Sequence, residues 1–265
     1  MSRITTKTKS ATTAKKTDPE IAPARGRGRR SEKAAAGDYG SPEHIIAVLD
    51  ALDAVYRNDA LPPDVYATGE PLDGLILTLL SQNTNDRNRD MAYHALRAAY
   101  PTWREVAGLT AGEIAARIRP AGLAPTKSQR MREVLERIHR DFGDYSLRAM
   151  QAWEAAAVRE YLTALPGIGP KTVACVMVFD LDMPAFPVDT HVARVSRRLG
   201  WVSPQTPPEK IQDFLEATVP PARCRGGHLN MIEHGRKVCG ARRADCAACA
   251  AADLCRYRRE TDSAA

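Results

Sequence analysis

From Ser41 onward, apolar residues recur at helical spacing through most of the chain. The first stripe is Ile45, Val48, Leu49, Leu52 and Val55, and it predicts an amphipathic helix. Ser41-Pro42-Glu43 is the start signal: a capping side chain, a proline with no N–H to lose, and an acid in the first turn. The run GLILTLL at 74–80 is apolar almost throughout and predicts a buried helix. Thr110 and Glu113 make a capping-box pair ahead of Ile114 and Ile118. Met131, Val134, Leu135, Ile138 and Phe142 mark another helix, which Gly143 closes. Val158, Leu162 and Leu165 mark the next, and helices over 171–181, 191–199, 208–217 and 227–237 follow. No segment shows a convincing strand-like alternation, so the pattern predicts an all-α chain of about ten helices on short loops.

Composition adds little to this, and charge adds more. Hydrophobic residues are 44% and charged residues 26% of the 265, ordinary for a soluble globular protein. The longest apolar run, Val173 to Phe179, is far short of the roughly 20 residues a membrane helix needs. Neither a membrane partner nor a signal-peptide core is expected. The formal net charge is +6, and residues 1–38 hold ten Lys/Arg against four Asp/Glu, so the whole excess sits in that segment. Residues 1–40 are therefore expected to be a disordered basic tail that adds non-specific affinity for DNA or merely solubilises. The segment 258–265 is expected to be disordered as well.

One stretch carries candidate chemistry. In LPGIGPKTVA (165–174), Pro166 ends one helix, Gly167 and Gly169 allow backbone conformations a Cβ would resist, and Pro170-Lys171 opens the next helix. The product is a helix–hairpin–helix whose outward N–H groups can bind phosphate. Lys171 could be a plain phosphate contact. The positive end of its helix and partial burial both disfavour the protonated amine, and a neutral amine is a nucleophile that forms Schiff bases. Asp189, in PVDTH, can cap the helix that follows and can also stabilise a cationic sugar or activate a nucleophile.

Cys239, Cys246, Cys249 and Cys255 lie within 17 residues, in the spacing C-x6-C-x2-C-x5-C. Four thiolates suit zinc or an iron–sulfur cluster. A zinc ribbon offers two close pairs, and only Cys246 and Cys249 form one, so the spacing leans toward iron–sulfur. Arg242 and Arg243 stand in the loop between the first two cysteines, where they would form a basic fingertip for DNA phosphates or a solvated charge pair. Cys175 reads as plain core.

LPGIGPKTVA, PVDTHVARVSRRLG and HLNMIEHGRKVCGARRADCAACAAADLC together resemble the endonuclease III family of helix–hairpin–helix DNA glycosylases, in the family's order, from about residue 41 to 257. The resemblance implies a six-helix barrel domain near 73–183, and an iron–sulfur cluster domain from 41–72 and 184–257. It implies a [4Fe–4S] cluster on the four cysteines, with Lys171 the catalytic lysine and Asp189 the catalytic aspartate. The implied activity is base excision repair by a bifunctional glycosylase and AP lyase. It removes oxidised pyrimidines from double-stranded DNA through a lysine Schiff base and cuts 3′ to the abasic site. The resemblance also implies an amide that fills the gap left by the flipped base, at Asn83 or at Gln82, and an apolar wedge at Leu123, with Gly167 and Gly169 on the DNA side of the hairpin. A monomer in a bacterial cytoplasm, associated with the nucleoid, is the expected setting. A monofunctional mismatch or adenine glycosylase would lack the lysine at 171. A non-catalytic DNA-binding module would have no use for Lys171 and Asp189 together.

Overall fold

The computed structural model describes residues 38–62 and 67–263, and among these are twelve α-helices, no strand, and one isolated bridge between Cys239 and Ala244. The all-α expectation holds. The helices are α1 (Pro42–Tyr56), α2 (Pro71–Ser81), α3 (Asp86–Ala99), α4 (Trp103–Ala107), α5 (Ala111–Arg117), α6 (Ala124–Phe142), α7 (Ala155–Thr163), α8 (Pro170–Phe179), α9 (Thr190–Leu199), α10 (Pro208–Thr218), α11 (Pro221–Lys237) and α12 (Arg256–Ser263).

Local signals explain most of the starts. Ser41 caps α1 by accepting the His44 N–H, and Thr110 and Glu113 form the expected reciprocal box at α5. Thr102 and Glu105 form a second one at α4, and Gly143 closes α6 in the left-handed conformation at φ 74°. Helices α2 to α8 pack largely on one another, whereas α1, α9, α10 and α12 gather around α11 or its neighbour α9, and α8 touches α11. Helix α8 is the centre: every residue from Thr172 to Val178 is buried. Burying each of Val173, Val176, Met177 and Val178 stabilises the fold by roughly 1.5–3 kcal/mol.

Polar ties fasten the two ends of the chain. Trp201 Nε1 donates to His44 Nδ1 at 3.2 Å, so the opposite ring nitrogen carries the proton and donates to the Leu254 carbonyl at 2.8 Å. Asn230 of α11 accepts from Asn58 Nδ2 at 2.8 Å and donates to Asp53 at 3.0 Å, so this buried network locks α11 against α1.

Two expectations about disorder change. Residues 1–37 lie outside the described residues, but Asp38–Gly40 belong to the fold, with the Tyr39 ring edge-on to His44. The expected disorder over 258–265 is overturned as far as Ser263. Helix α12 buries nothing of its own, and ion pairs at i,i+4, Arg256–Glu260 and Arg258–Asp262, support it. Arg259 also lies over the Tyr39 ring.

Candidate active site and cysteine pocket

The hairpin forms as its sequence requires at three of its four key positions. Pro166 follows α7, Ile168 is buried, and Gly167 sits at φ 73° with Arg130 so close that a Cβ would lie 2.5 Å from that side chain. Gly169 differs from expectation. Its φ is −97° and a Cβ there would meet nothing within 4 Å, so the turn does not need a glycine at this point. No side chain caps α8, which leaves the backbone N–H groups of Lys171 and Thr172 at an open, positive helix end.

Lys171 and Asp189 line one cavity of about 960 Å³. Its long wall is one face of α8: Lys171, Thr172, Cys175, Phe179 and Asp180. Burial pushes the Cys175 thiol up, and the nearby Lys171, one turn before it, draws it back down. Asp189 is the N-cap of α9, and its Oδ1 accepts from the His191 and Val192 N–H groups, both at 2.8 Å. This fixes the carboxylate at the cavity edge and leaves its other oxygen for chemistry.

Two lining groups escaped the sequence reading. His228 Nδ1 donates to the Pro187 carbonyl at 2.7 Å, just before Val188-Asp189, so α11 pins the loop that carries the aspartate. Burial and the Lys171 charge push the His228 pKa down to about 4, so the ring is neutral at physiological pH. The second group is Asp180, whose pKa burial pushes up to about 6. Its Oδ1 faces the Thr68 N–H at 3.3 Å and the Thr68 hydroxyl at 2.8 Å. The only signal for it in the sequence was an acid placed directly after an apolar run.

Gln82 and Asn83, at the edge of the cavity, stand in different settings. Gln82 is tied within the protein: it donates to the Gly167 carbonyl and accepts from Arg130, both at 3.3 Å. Asn83 is exposed at φ 53° and makes no side-chain hydrogen bond among the described residues. Leu123 is likewise 56% exposed and left-handed at φ 48°. Two non-glycine residues in this backbone region imply strain that the surroundings hold in place. Lys127 supplies part of the hold. It is buried, and its Nζ donates to the Leu80 carbonyl at 2.7 Å and to the Ala121 carbonyl at 2.8 Å, the residues leading into the two loops.

The four cysteines are free thiols, and all four line a second, narrow pocket beside Arg198, His234 and Tyr257. Burial pushes the Cys249 thiol up to about 11, and the other three cysteines push in the same direction, which places the four sulfurs in one apolar environment. Arg198 Nη1 approaches Cys239 Sγ at 3.2 Å and the Gly240 carbonyl at 2.7 Å, so α9 clamps the start of the cysteine loop. Arg242 and Arg243 stand exposed at its tip without an ion pair among the described residues. Also among those residues, no three His, Cys, Asp or Glu side chains stand close enough to share one metal ion, and no helix is long and apolar enough to cross a membrane. The chemistry of four thiols lining one pocket suits zinc or an iron–sulfur cluster alike.

The family description "HhH-GPD superfamily base excision DNA repair protein" matches residues 76–221. The chain belongs to this superfamily. The endonuclease III of Thermotoga maritima is 31% identical over 197 residues, which cover 74% of this chain and 88% of that protein. An Arabidopsis thaliana protein named for DNA glycosylase activity is 35% identical over 168 residues, 63% of this chain. The chain spans 57% of that relative's length. Among solved structures, a trapped endonuclease III–DNA covalent intermediate superposes with a TM-score of 0.70 at 27% identity, over 84% of this chain and 99% of that one. The chain is thus an endonuclease III-like helix–hairpin–helix DNA glycosylase.

Proposed function

We propose that this glycosylase is bifunctional, excising oxidised pyrimidines from duplex DNA and cleaving the resulting abasic site. The observation that carries the reading is the placement of Lys171 and Asp189 on one cavity, at the uncapped start of α8 and the capped start of α9. A duplex damaged at one base lays its phosphates on the hairpin around Gly167 and Gly169, and the damaged base turns into the cavity. The Lys171 amine gives up a proton to solvent and attacks C1′, the glycosidic bond breaks and the base leaves with its electron pair. Loss of the amine proton and opening of the sugar give the Schiff base. Removal of a C2′ proton then expels the 3′ phosphate by β-elimination. The Asp189 oxygen that α9 does not use faces the positive charge developing on the sugar.

Asn83 serves as the amide that enters the gap in the helix, Leu123 as the wedge, and Gln82 as an internal tether. Cys239, Cys246, Cys249 and Cys255 would hold a [4Fe–4S] cluster, which would give a rigid mount to the loop that presents Arg242 and Arg243 to DNA phosphates. The barrel domain is 73–183 and the cluster domain 41–72 with 184–257. The protein acts as a monomer.

The test is reductive trapping. Duplex DNA with one abasic site, incubated with the protein and borohydride, gives a covalent adduct that Lys171→Ala abolishes. Intact protein that forms no adduct refutes the lyase assignment. Purified protein without iron refutes the cluster.

A further inference from the structure

We propose that Asp180 reads the base inside the cavity and selects pyrimidines that carry an exocyclic amino group over those that carry a carbonyl at the same carbon. This rests on the base-excision reading above and names the substrate class within it. Lys171 and Asp180 stand at opposite ends of the α8 face that lines the cavity. The Lys171 side chain lies near Cys175, and Asp180 lies five residues beyond that, about 7.5 Å of helix rise. A base whose C1′ meets the lysine therefore extends along this face toward the carboxylate.

The site is built for that carboxylate. Position 74 on α2 is glycine, and a Cβ there would lie 1.9 Å from Asp180 Oδ2. Thr68 fixes the rotamer by presenting its N–H to Oδ1, while its hydroxyl has one proton to share between Oδ1 and the Glu70 carbonyl at 2.7 Å. Among the described residues no donor contacts Oδ2, which lies beside the Gly74 backbone and is the unfilled acceptor of a side chain that lines the cavity. No cation pairs with Asp180 among those residues. An ionised carboxylate accepts from an N–H and repels a carbonyl oxygen. Aspartate accepting from the cytosine N4 amino group is the matching pair. Uracil-type bases put a lone pair where the amino proton would be, and a site built for one hydrogen-bonding pattern discriminates against the other.

The experiment measures single-turnover excision at pH 8 of 5-hydroxycytosine and 5-hydroxyuracil, which differ in the amino or oxo group at C4 and in the proton that N3 carries only in the uracil. Each rate is divided by the same protein's rate on an abasic duplex, which contains no base to read. The intact protein is expected to favour 5-hydroxycytosine by at least about fivefold. In Asp180→Asn, Thr68 holds the amide oxygen and the amide nitrogen replaces Oδ2, so the preference reverses toward 5-hydroxyuracil. In Thr68→Val the carboxylate keeps its charge but loses its aim, and the ratio falls toward one. Intact protein without a preference for the amino base overturns the proposal, as does an Asp180→Asn ratio equal to that of the intact protein. Intact protein that cleaves no abasic duplex instead overturns the lyase reading.

Discussion

Asp180 also predicts how stability depends on pH. Its pKa stands at about 6 in the fold against an ordinary 3.8, chiefly through burial. An acid raised in the folded state keeps its proton after the unfolded chain has lost it. Stability therefore falls as pH rises from about 4 to about 6, and above that both states are ionised and the loss is complete. At about 1.4 kcal/mol per pKa unit, the folded state at pH 8 bears at most about 3 kcal/mol from this one group, and less where cavity water screens it. Asp180→Asn removes the charge and keeps an oxygen for the Thr68 N–H. The variant is expected to match the parent near pH 4 and to exceed it by about 1–3 kcal/mol at pH 8. For a domain of this size that is an increase of several degrees in Tm, at roughly 2–4 °C per kcal/mol. Thermal unfolding of both proteins at pH 4.5 and pH 8 measures the difference, and ionisations common to both cancel. A variant less stable at pH 8, or a gap equal at the two pH values, refutes the reasoning. A stabilised variant with altered base preference would make Asp180 a residue kept at a cost in stability.

Three further outcomes are expected. Lys127→Met removes the only side-chain donor shown for the buried Leu80 and Ala121 carbonyls, and should cost about 1–3 kcal/mol in urea unfolding for each acceptor left bare. Arg198→Ala frees the Gly240 and Ala241 carbonyls from α9, leaving only Arg194 on the Cys239 carbonyl, and iron should be lost to a chelator faster than from the parent when visible absorbance is followed. His228, neutral above about pH 4, should give no break near its ordinary 6.5 in a pH profile of abasic-site cleavage, and a break there that His228→Asn removes would contradict its burial.

The helices that could be read from the sequence were those with a deep apolar stripe. Helix α3 escaped because only Ala92 and Leu96 of its residues are buried, too few for a visible period. Helix α12 buries none, and it exists because Cys255 anchors its start while ion pairs line its exposed face. The first half of α11, from Pro221, hid behind Arg223, Arg225 and two glycines. Gly226 and Gly227 are there because α11 passes close to its neighbours: a Cβ on Gly226 would lie 1.7 Å from Asp59 Oδ1. Lys127 was legible in principle. It lies four residues before Met131, on the buried stripe of α6, and a lysine on such a stripe calls for a buried acceptor.

At the candidate site, residue type alone does not separate neighbouring candidates. Gln82 and Asn83 are adjacent amides with the same chemistry, and only the fold separates them: the hairpin carbonyl of Gly167 and the Arg130 guanidinium engage the first, while a left-handed backbone turns the second outward. Asp189 divides its own carboxylate, one oxygen holding α9 and one left at the cavity. Lys127 is a cation used entirely as scaffold, whereas Lys171, at an uncapped helix start, faces the cavity. In each comparison the distinguishing fact is which polar groups the fold has already satisfied. Helix ends and loop carbonyls make those demands first, and the side chains left facing the cavity are the ones available for DNA.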